Sequence, residues 1–474
     1  MGLGLRLYHA LPGPARSLVA SLRGAQLRTR RYGPETERLV AEAIERERWT
    51  PARWADWRAD RLARLLHRAA TRVPFYRQQW AERRRAGDRS ASDELRNWPV
   101  LDKQQLRADP RAFLADDCDP RRMIEEHTSG SSGTPLTLWW SADTTRAWYA
   151  LFEARWRRWY GVTRHDRWAI LGAQPVVPFG RRRPPFWVWN AGLRQLYCSS
   201  SHLAPDLAIH YFDAMRRYRV SHVYGYPSAL DSLARAALEQ GLAPPPLRVV
   251  VTNAEPVSAA QRQRIEQAFG CPMRETYGMS EIVAAAGECE AGTLHLWSDV
   301  GVVELLEPTA DHGGTTGELI ATGLLNMDMP LIRYRVGDRA TLPSDSAPPC
   351  KCGRTLPSMI AVDGRADDVL FSVDGRRVGR LDPVFKAELP LREAQIVQRR
   401  LGAVTVRIVP AAALLESHRS IIVDGLRQRL GPVEVTFELV DSIARGPNGK
   451  FKASVCEIAA GERPCPSAGV GGDR

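Results

Sequence analysis

Three features of the sequence predict an α/β protein: a large N-terminal domain of parallel sheets with a small β subdomain, and a small α+β C-terminal domain. Short apolar runs at 167–171, 220–224 and 247–251 alternate with amphipathic helical segments, the rhythm of a parallel sheet with sites at its strand ends. From about residue 290 the pattern changes to short strands separated by polar turns. Beyond 364–368, strand and helix candidates alternate again over about a hundred residues, enough for a compact separate domain. The expected divisions are a helical N-terminal part of the large domain (1–115), the rest of that domain (116–364), a C-terminal domain (365–460) and a disordered Gly- and Pro-rich tail (461–474).

The elements follow in chain order. Residues 35–115 read as mainly helical, with Leu62, Leu65 and Leu66 recurring among Arg and Glu and with Pro74 and Pro99 as breaks. A Ser/Gly-rich loop precedes the strand-like run 136–140. The strand at 167–171 ends at Gly172. After the strand at 220–224, Ser228 is placed to cap a helix carrying Leu230, Leu233 and Ala237 on one face. The run 247–251 is the clearest buried strand. It leads into Asn253-Ala254-Glu255-Pro256, after which Ser258 opens a helix through Ile265 and Phe269. Strands at 294–296, 302–306 and 318–321 are assigned to the β subdomain. The last domain is expected to hold strands at 394–398, 404–409 and 433–439 and a helix at 421–430.

Composition narrows the function classes. The chain has 474 residues, 44% hydrophobic and 25% charged, an ordinary globular balance. No run approaches the ~18–20 apolar residues of a membrane-spanning helix. The net charge of +12 invites a nucleic-acid reading, but the arginines are scattered and no nucleic-acid motif accompanies them, so a solvated Arg-rich surface is expected. The first 33 residues hold six arginines and no acid among several leucines. A transit peptide, a membrane-surface helix and the first helix of the fold all fit that pattern. Eight cysteines without a paired framework indicate a reducing, cytoplasmic setting. Only five of the 66 basic residues are lysines (103, 351, 386, 450 and 452), so each lysine hints at a need for a compact ammonium. Nothing decides between a monomer and a homodimer.

The most informative stretch is Thr128-Ser129-Gly130-Ser131-Ser132-Gly133-Thr134. Its backbone N–H groups and hydroxyls suit a polyphosphate, although it lacks the Gly-Lys-Ser/Thr ending of a P-loop. The same composition also serves a flexible surface turn.

Further motifs decide the matter by resemblance. This loop, Glu275 to Glu281 (Glu-Thr-Tyr-Gly-Met-Ser-Glu), Arg333 to Asp338 (Arg-Tyr-Arg-Val-Gly-Asp), Gly364-Arg365-Ala366-Asp367-Asp368 and Gly449-Lys450 stand in the order and spacing of adenylate-forming enzymes. In detail the chain resembles the phenylacetate–CoA ligase branch, and more closely its capsular-polysaccharide-biosynthesis relatives. With these it shares Leu11-Pro12, Arg31-Tyr32-Gly33, the segment from Pro99 to Lys103, and the Cys350-x-Cys352-Gly-Arg run.

The resemblance implies activation of a carboxylic acid by ATP and Mg²⁺, then transfer to a thiol such as coenzyme A. It implies β- and γ-phosphate binding by residues 128–134, and adenine between Asn253, Ala254, Glu255 and Tyr277. Ser280 would contact the α-phosphate, with Gly278 and Met279 also in the nucleotide site; Glu281 would hold Mg²⁺, and Asp338 would accept from the ribose hydroxyls with Arg365 close by. Lys450 would be the catalytic lysine, and Asp367 the hinge of a mobile C-terminal domain. Tyr224, Tyr226 and Pro227 would line the acid site, with Trp139 or Trp148 as neighbours or as plain core. An aromatic or hydrophobic acid is the expected substrate.

Cys289, His295, Cys350 and Cys352 form a possible closed Cys₃His zinc site, with four unrelated reduced residues as the alternative. The capsule-type relatives carry similar cysteines. The segment 370–377 departs from the phenylacetate–CoA ligases where the thiol-binding face forms. Amide or ester formation, or a non-catalytic nucleotide-binding role, therefore stays open.

Overall fold

The computed structural model describes the chain except residues 1–2, 129–135, 173, 179–180, 182, 312, 345–346, 366–369, 374–376, 379–380, 386–388, 446–450, 460–461 and 464–474. It divides into two compact units. The first comprises 1–257, 261–336 and 340–361; the second comprises 258–260, 337–339 and the chain from Val362 onward.

The first unit opens with helices Leu3–Ala10, Gly13–Arg31, Thr36–Arg46, Pro51–Arg72 and Pro74–Arg85. Pro51 and Pro74 each stand at the start of a helix, where the missing N–H costs nothing. Leu65 and Leu66 are fully buried, as their spacing requires.

Behind these helices lies a nine-stranded sheet. Its five central strands, Gln195–Ser199, Trp168–Gly172, His222–Gly225, Val249–Thr252 and Met273–Gly278, are mutually parallel. Alternation along the strands separates two cores. Ala169, Leu171, Val223 and Val250 pack with helices Ala208–Arg217, Pro227–Glu239 and Ala259–Phe269. Trp168, Tyr224, Val249 and Val251 point the other way, with Phe152 from helix Ala142–Trp156 beside them.

Antiparallel strands extend both ends of the sheet. Trp187–Asn190 closes one edge; Ala285–Glu288, Leu294–Leu296 and Ser358–Met359 follow at the other. The expected strand at 294–296 thus belongs to the main sheet rather than to the β subdomain. Its hydrogen-bonding edge is taken by Ala285–Glu288, a pairing that length and composition do not reveal. Gly301–Asp311, Gly314–Gly323 and Tyr334–Pro343 are neighbours in a separate sheet.

In the second unit, strands Glu434–Leu439, Ala403–Pro410, Leu391–Arg400 and Ser454–Cys456 form one sheet, with only the central pair antiparallel. Helix Glu416–Leu430 covers it through Ile422, Leu426 and Leu430, packed with Ile396, Val404, Val406 and Ile408.

Candidate active site

Parallel strands finish at one edge of a sheet, so residues distant in sequence collect there. Tyr226 and Pro227 follow His222–Gly225, Asn253 and Ala254 follow Val249–Thr252, and Met279, Ser280 and Glu281 follow Met273–Gly278. The Asn253 N–H donates to the Gly225 carbonyl at 3.3 Å, locking two of these ends together. Ala254, Ile282 and Arg333 hold left-handed backbone at φ 66°, 46° and 46°. For buried, β-branched Ile282 this conformation costs on the order of 1–3 kcal/mol. The turn it permits is closed by its N–H on the Met279 carbonyl at 3.1 Å, and Glu281 inside that turn is buried.

Glu281 is held from two sides. Its Oε1 accepts from the Tyr334 hydroxyl at 3.0 Å and lies 3.3 Å from the Lys103 ammonium. Lys103 is delivered by the preceding backbone. The Leu101 N–H donates to Arg333 O at 3.0 Å, and Arg335 N–H donates to Leu101 O at 2.9 Å. Asp102 adds an ion pair to Arg335 at 3.1 Å. Sequence reasoning gave Lys103 no role, although its survival in an arginine-rich chain was the available signal. Lys103→Ala, Glu281→Gln and the double variant are expected to affect turnover non-additively, with a coupling of about 1 kcal/mol or more. Additive effects would show that the pair does not act as a unit.

Glu255 serves the backbone nearby. Its carboxylate accepts from the Ser228 N–H at 3.0 Å and the Ser228 hydroxyl at 3.1 Å. The helix begins at Pro227 with Tyr226 as its N-cap, so Ser228 lies inside the first turn and is not the cap that its residue type suggested. A carboxylate from another strand end supplies the negative charge this helix start favours.

Thr128 closes the base of the Ser/Gly loop. Its Oγ1 accepts from Leu136 N at 2.9 Å and its own N–H donates to Leu136 O at 3.2 Å. The hairpin of Ile124–His127 and Thr137–Trp140 sets that geometry. Ser129, Gly130, Ser131, Ser132, Gly133 and Thr134 lie outside the described residues, as do Asp367 and Lys450. Asp338 lies in strand Tyr334–Pro343, within the 337–339 segment that groups with the second unit. Arg365 ends strand Ala361–Arg365. Tyr224 is buried, with its hydroxyl donating to the Trp156 carbonyl at 2.5 Å and its ring against Phe152 and Trp168. Trp148 packs on Trp156 and Trp297. In this conformation these two rings belong to the core, leaving Tyr226 and Pro227 at the strand end.

The four zinc candidates converge. The ligand atoms of Cys289, His295, Cys350 and Cys352 all lie within 4.8 Å of one another. The Cys289 and Cys350 sulfurs are 3.7 Å apart, and Cys352 Sγ is 3.3 Å from His295 Nε2. Two thiolates on a tetrahedral zinc, each at ~2.3 Å, are roughly 3.8 Å apart, so the donor set fits. His295 Nδ1 lies 2.9 Å from Leu356 O; donation there leaves Nε2 as the ligand nitrogen. Burial raises the Cys350 thiol, but the Cys352 N–H, Thr293 and Cys352 outweigh it and hold the pKa at about 6. Burial raises Cys289 and Cys352, a cost that a bound cation would offset.

The family follows from comparison with known proteins. Residues 53–320, more than half of the chain, match the model of the AMP-binding enzymes. The chain belongs to that adenylate-forming family. Residues 370–457 match the CapK C-terminal domain, and the chain falls with the CapK-related members of the phenylacetate–CoA ligase branch. It is similar to Protein CapK of Staphylococcus aureus, at 24% identity over 81% of this chain and 85% of that one. It is also similar to the phenylacetate–coenzyme A ligase of Thermus thermophilus, at 25% identity over 89% of this chain and 98% of that one. Among solved structures, a 2-hydroxyisobutyryl-CoA ligase in its postadenylation state shares the fold. Its TM-score is 0.67 at 24% identity, over 88% of this chain and 92% of that one.

Proposed function

We propose that this adenylate-forming enzyme activates an aromatic or hydrophobic carboxylic acid as acyl-AMP and passes the acyl group to coenzyme A. The observation that carries this reading is Glu281, buried at the parallel strand ends and engaged by Lys103 and Tyr334. A carboxylate oxygen attacks the α-phosphorus of ATP, and the bond to the bridging oxygen breaks with its electron pair leaving on pyrophosphate. The thiolate sulfur of the acceptor then attacks the acyl carbon, and AMP departs with the electrons of the C–O bond.

The first step brings an anion onto a polyanion, so this chain's groups act by orientation and charge. Residues 128–134 hold the β- and γ-phosphates, while Asn253, Ala254, Glu255 and Tyr277 line the adenine. Ser280 contacts the α-phosphate, with Gly278 and Met279 beside it in the nucleotide site, and Asp338 accepts from the ribose hydroxyls with Arg365 close by. Lys450 bridges the two reacting anions, and Asp367 is the hinge. Tyr226 and Pro227 face the acid, with Tyr224 behind them. With one oxygen on Lys103 and Tyr334, Glu281 has a second for Mg²⁺, a hard cation that supplies phosphate charge neutralisation when bound. Cys289, His295, Cys350 and Cys352 hold a structural Zn²⁺.

A second reading has one specific support. The match of residues 370–457 to a CapK C-terminal domain coincides with the departure at 370–377. With the thiol-binding face altered there, an amine or hydroxyl acceptor would give an amide or ester after the same adenylation. Pyrophosphate release with ATP, Mg²⁺ and a panel of carboxylic acids tests the shared first step. Acid-dependent release is expected, and none from any aromatic or aliphatic acid would overturn it. Adding coenzyme A, hydroxylamine or sugar amines to the same reaction then separates thioester from amide or ester products.

A further inference from the structure

Helix Gly13–Arg31 presents two unlike faces. One is pressed onto the sheet at its Trp187–Asn190 edge. A Cβ on Gly192 would lie 2.2 Å from Ala25 N, and one on Gly24 would lie 1.9 Å from Asn190 Oδ1, so the helix and the turn after that strand meet backbone to backbone. The Ser21 hydroxyl accepts from Ala191 N at 2.9 Å, fixing the rotation of the helix. The opposite face therefore looks away from the sheet, and there Leu18 and Leu22, one turn apart, are 62% and 66% exposed. Val19 beside them and Leu7 on the preceding helix are also exposed. On a helical projection Arg28 flanks this stripe on one side and Arg23 and Arg30 on the other, and all three are exposed. Arg6 is exposed on the first helix, and no acid occurs before Glu35.

Two more observations lie on the same helix. Val19 and Arg23 border a cavity of about 220 Å³ that Tyr8, Leu27 and Val188 also line. Arg16, one turn before Val19, is 2% exposed, and its Nε and Nη1 have no hydrogen-bond acceptor among the described residues. An aliphatic stripe edged by arginines and an adjoining largely apolar cavity suit an occupant with hydrocarbon and anionic parts.

We propose that the helices Leu3–Ala10 and Gly13–Arg31 dock the protein on an anionic phospholipid surface. Leu7, Leu18, Val19 and Leu22 enter the headgroup–acyl boundary, and Arg6, Arg23, Arg28 and Arg30 reach the phosphates. Charge complementarity favours a bilayer over a second copy of the chain, whose matching face would bring arginines against arginines. An aliphatic stripe has no use in binding nucleic acid. No described helix is long and apolar enough to cross the membrane. The proposal stands apart from the ligase chemistry, because its readout needs no substrate.

The test is flotation of the full chain with vesicles of phosphatidylcholine alone or with about 30% phosphatidylglycerol, at low and high salt. Affinity for the anionic vesicles is expected to exceed that for neutral ones by at least about tenfold and to fall with salt. Leu18→Ser with Leu22→Ser is expected to weaken it by about tenfold or more, with the circular dichroism spectrum unchanged. Arg23→Ala with Arg28→Ala and Arg30→Ala is expected to flatten the salt dependence. Equal flotation of the native chain and the leucine variant would overturn the proposal, as would no binding to anionic vesicles. A concentration-dependent dimer abolished by the leucine substitutions would assign the face to a second copy instead.

Discussion

Lys450→Ala is expected to lower acid-dependent pyrophosphate release by roughly 10²–10³-fold, equivalent to about 3–4 kcal/mol of transition-state stabilisation. The argument is electrostatic. Repulsion between the substrate carboxylate and the α-phosphate peaks as the new P–O bond forms, and an ammonium between them counts most at that point. The segment carrying Lys450 leads into strand Ser454–Cys456, which is held by Ile396 and Val397, and the Lys452 carbonyl accepts from Gln395 at 2.8 Å. Lys452→Ala should remain within about threefold of the native rate. Lys450→Arg keeps the charge but not the compact shape and should recover only part of the loss. Single-turnover measurement of acyl-AMP formation checks these outcomes. A Lys450→Ala enzyme at full rate, or the main loss at Lys452, would refute the assignment.

Removing the proposed zinc clip should have the largest effect on stability. The purified protein is expected to carry about one zinc per chain, and Cys350→Ser to lose it and lower the apparent melting temperature by at least ~5 °C. The reason lies in what the Cys350–Gly353 turn holds. Just beyond it, Arg354 meets the Glu47 carboxylate at 3.1 Å and Glu290 at 2.7 Å, and the Thr355 N–H donates to Glu47 O at 2.8 Å. Glu47 also takes support from Arg155 at 3.4 Å and the Trp159 indole at 2.8 Å. Burial raises its pKa against the pull of those arginines, so losing a partner leaves a poorly solvated carboxylate. Metal analysis with thermal melting, before and after Cys350→Ser, decides the point. Zinc-free native protein that melts with the variant would leave four adjacent thiol and imidazole groups and nothing more.

Much of the fold was legible because burial imposes periodicity. The runs at 167–171, 220–224 and 247–251 are parallel strands, and Leu230, Leu233 and Ala237 form the buried face of one helix. Errors arose where a local signal has two physical uses. Ser228 is a good N-cap residue, but Tyr226 occupies the cap and Glu255, from the next strand end, supplies the acceptor. Leu294–Leu296 reads as a subdomain strand until its partners, Glu288 to Ala286, are known. Tyr224 belongs to a segment with two faces, and only the alternation along the sheet shows that its ring enters the core.

Residue order alone was sufficient for the family, because its motifs are short runs whose chemistry depends on neighbours in the chain. It also picked out Cys289, His295, Cys350 and Cys352, whose donor atoms the fold brings together, since thiol and imidazole groups announce themselves. Distances between remote segments were decided only by packing. Lys103 reaches Glu281 because Leu101 hydrogen-bonds beside Tyr334, and Cys289 meets Cys350 because strands around residues 288, 295 and 358 share a sheet. Such contacts depend on register and turn geometry summed over the whole domain, which no local pattern of residues encodes.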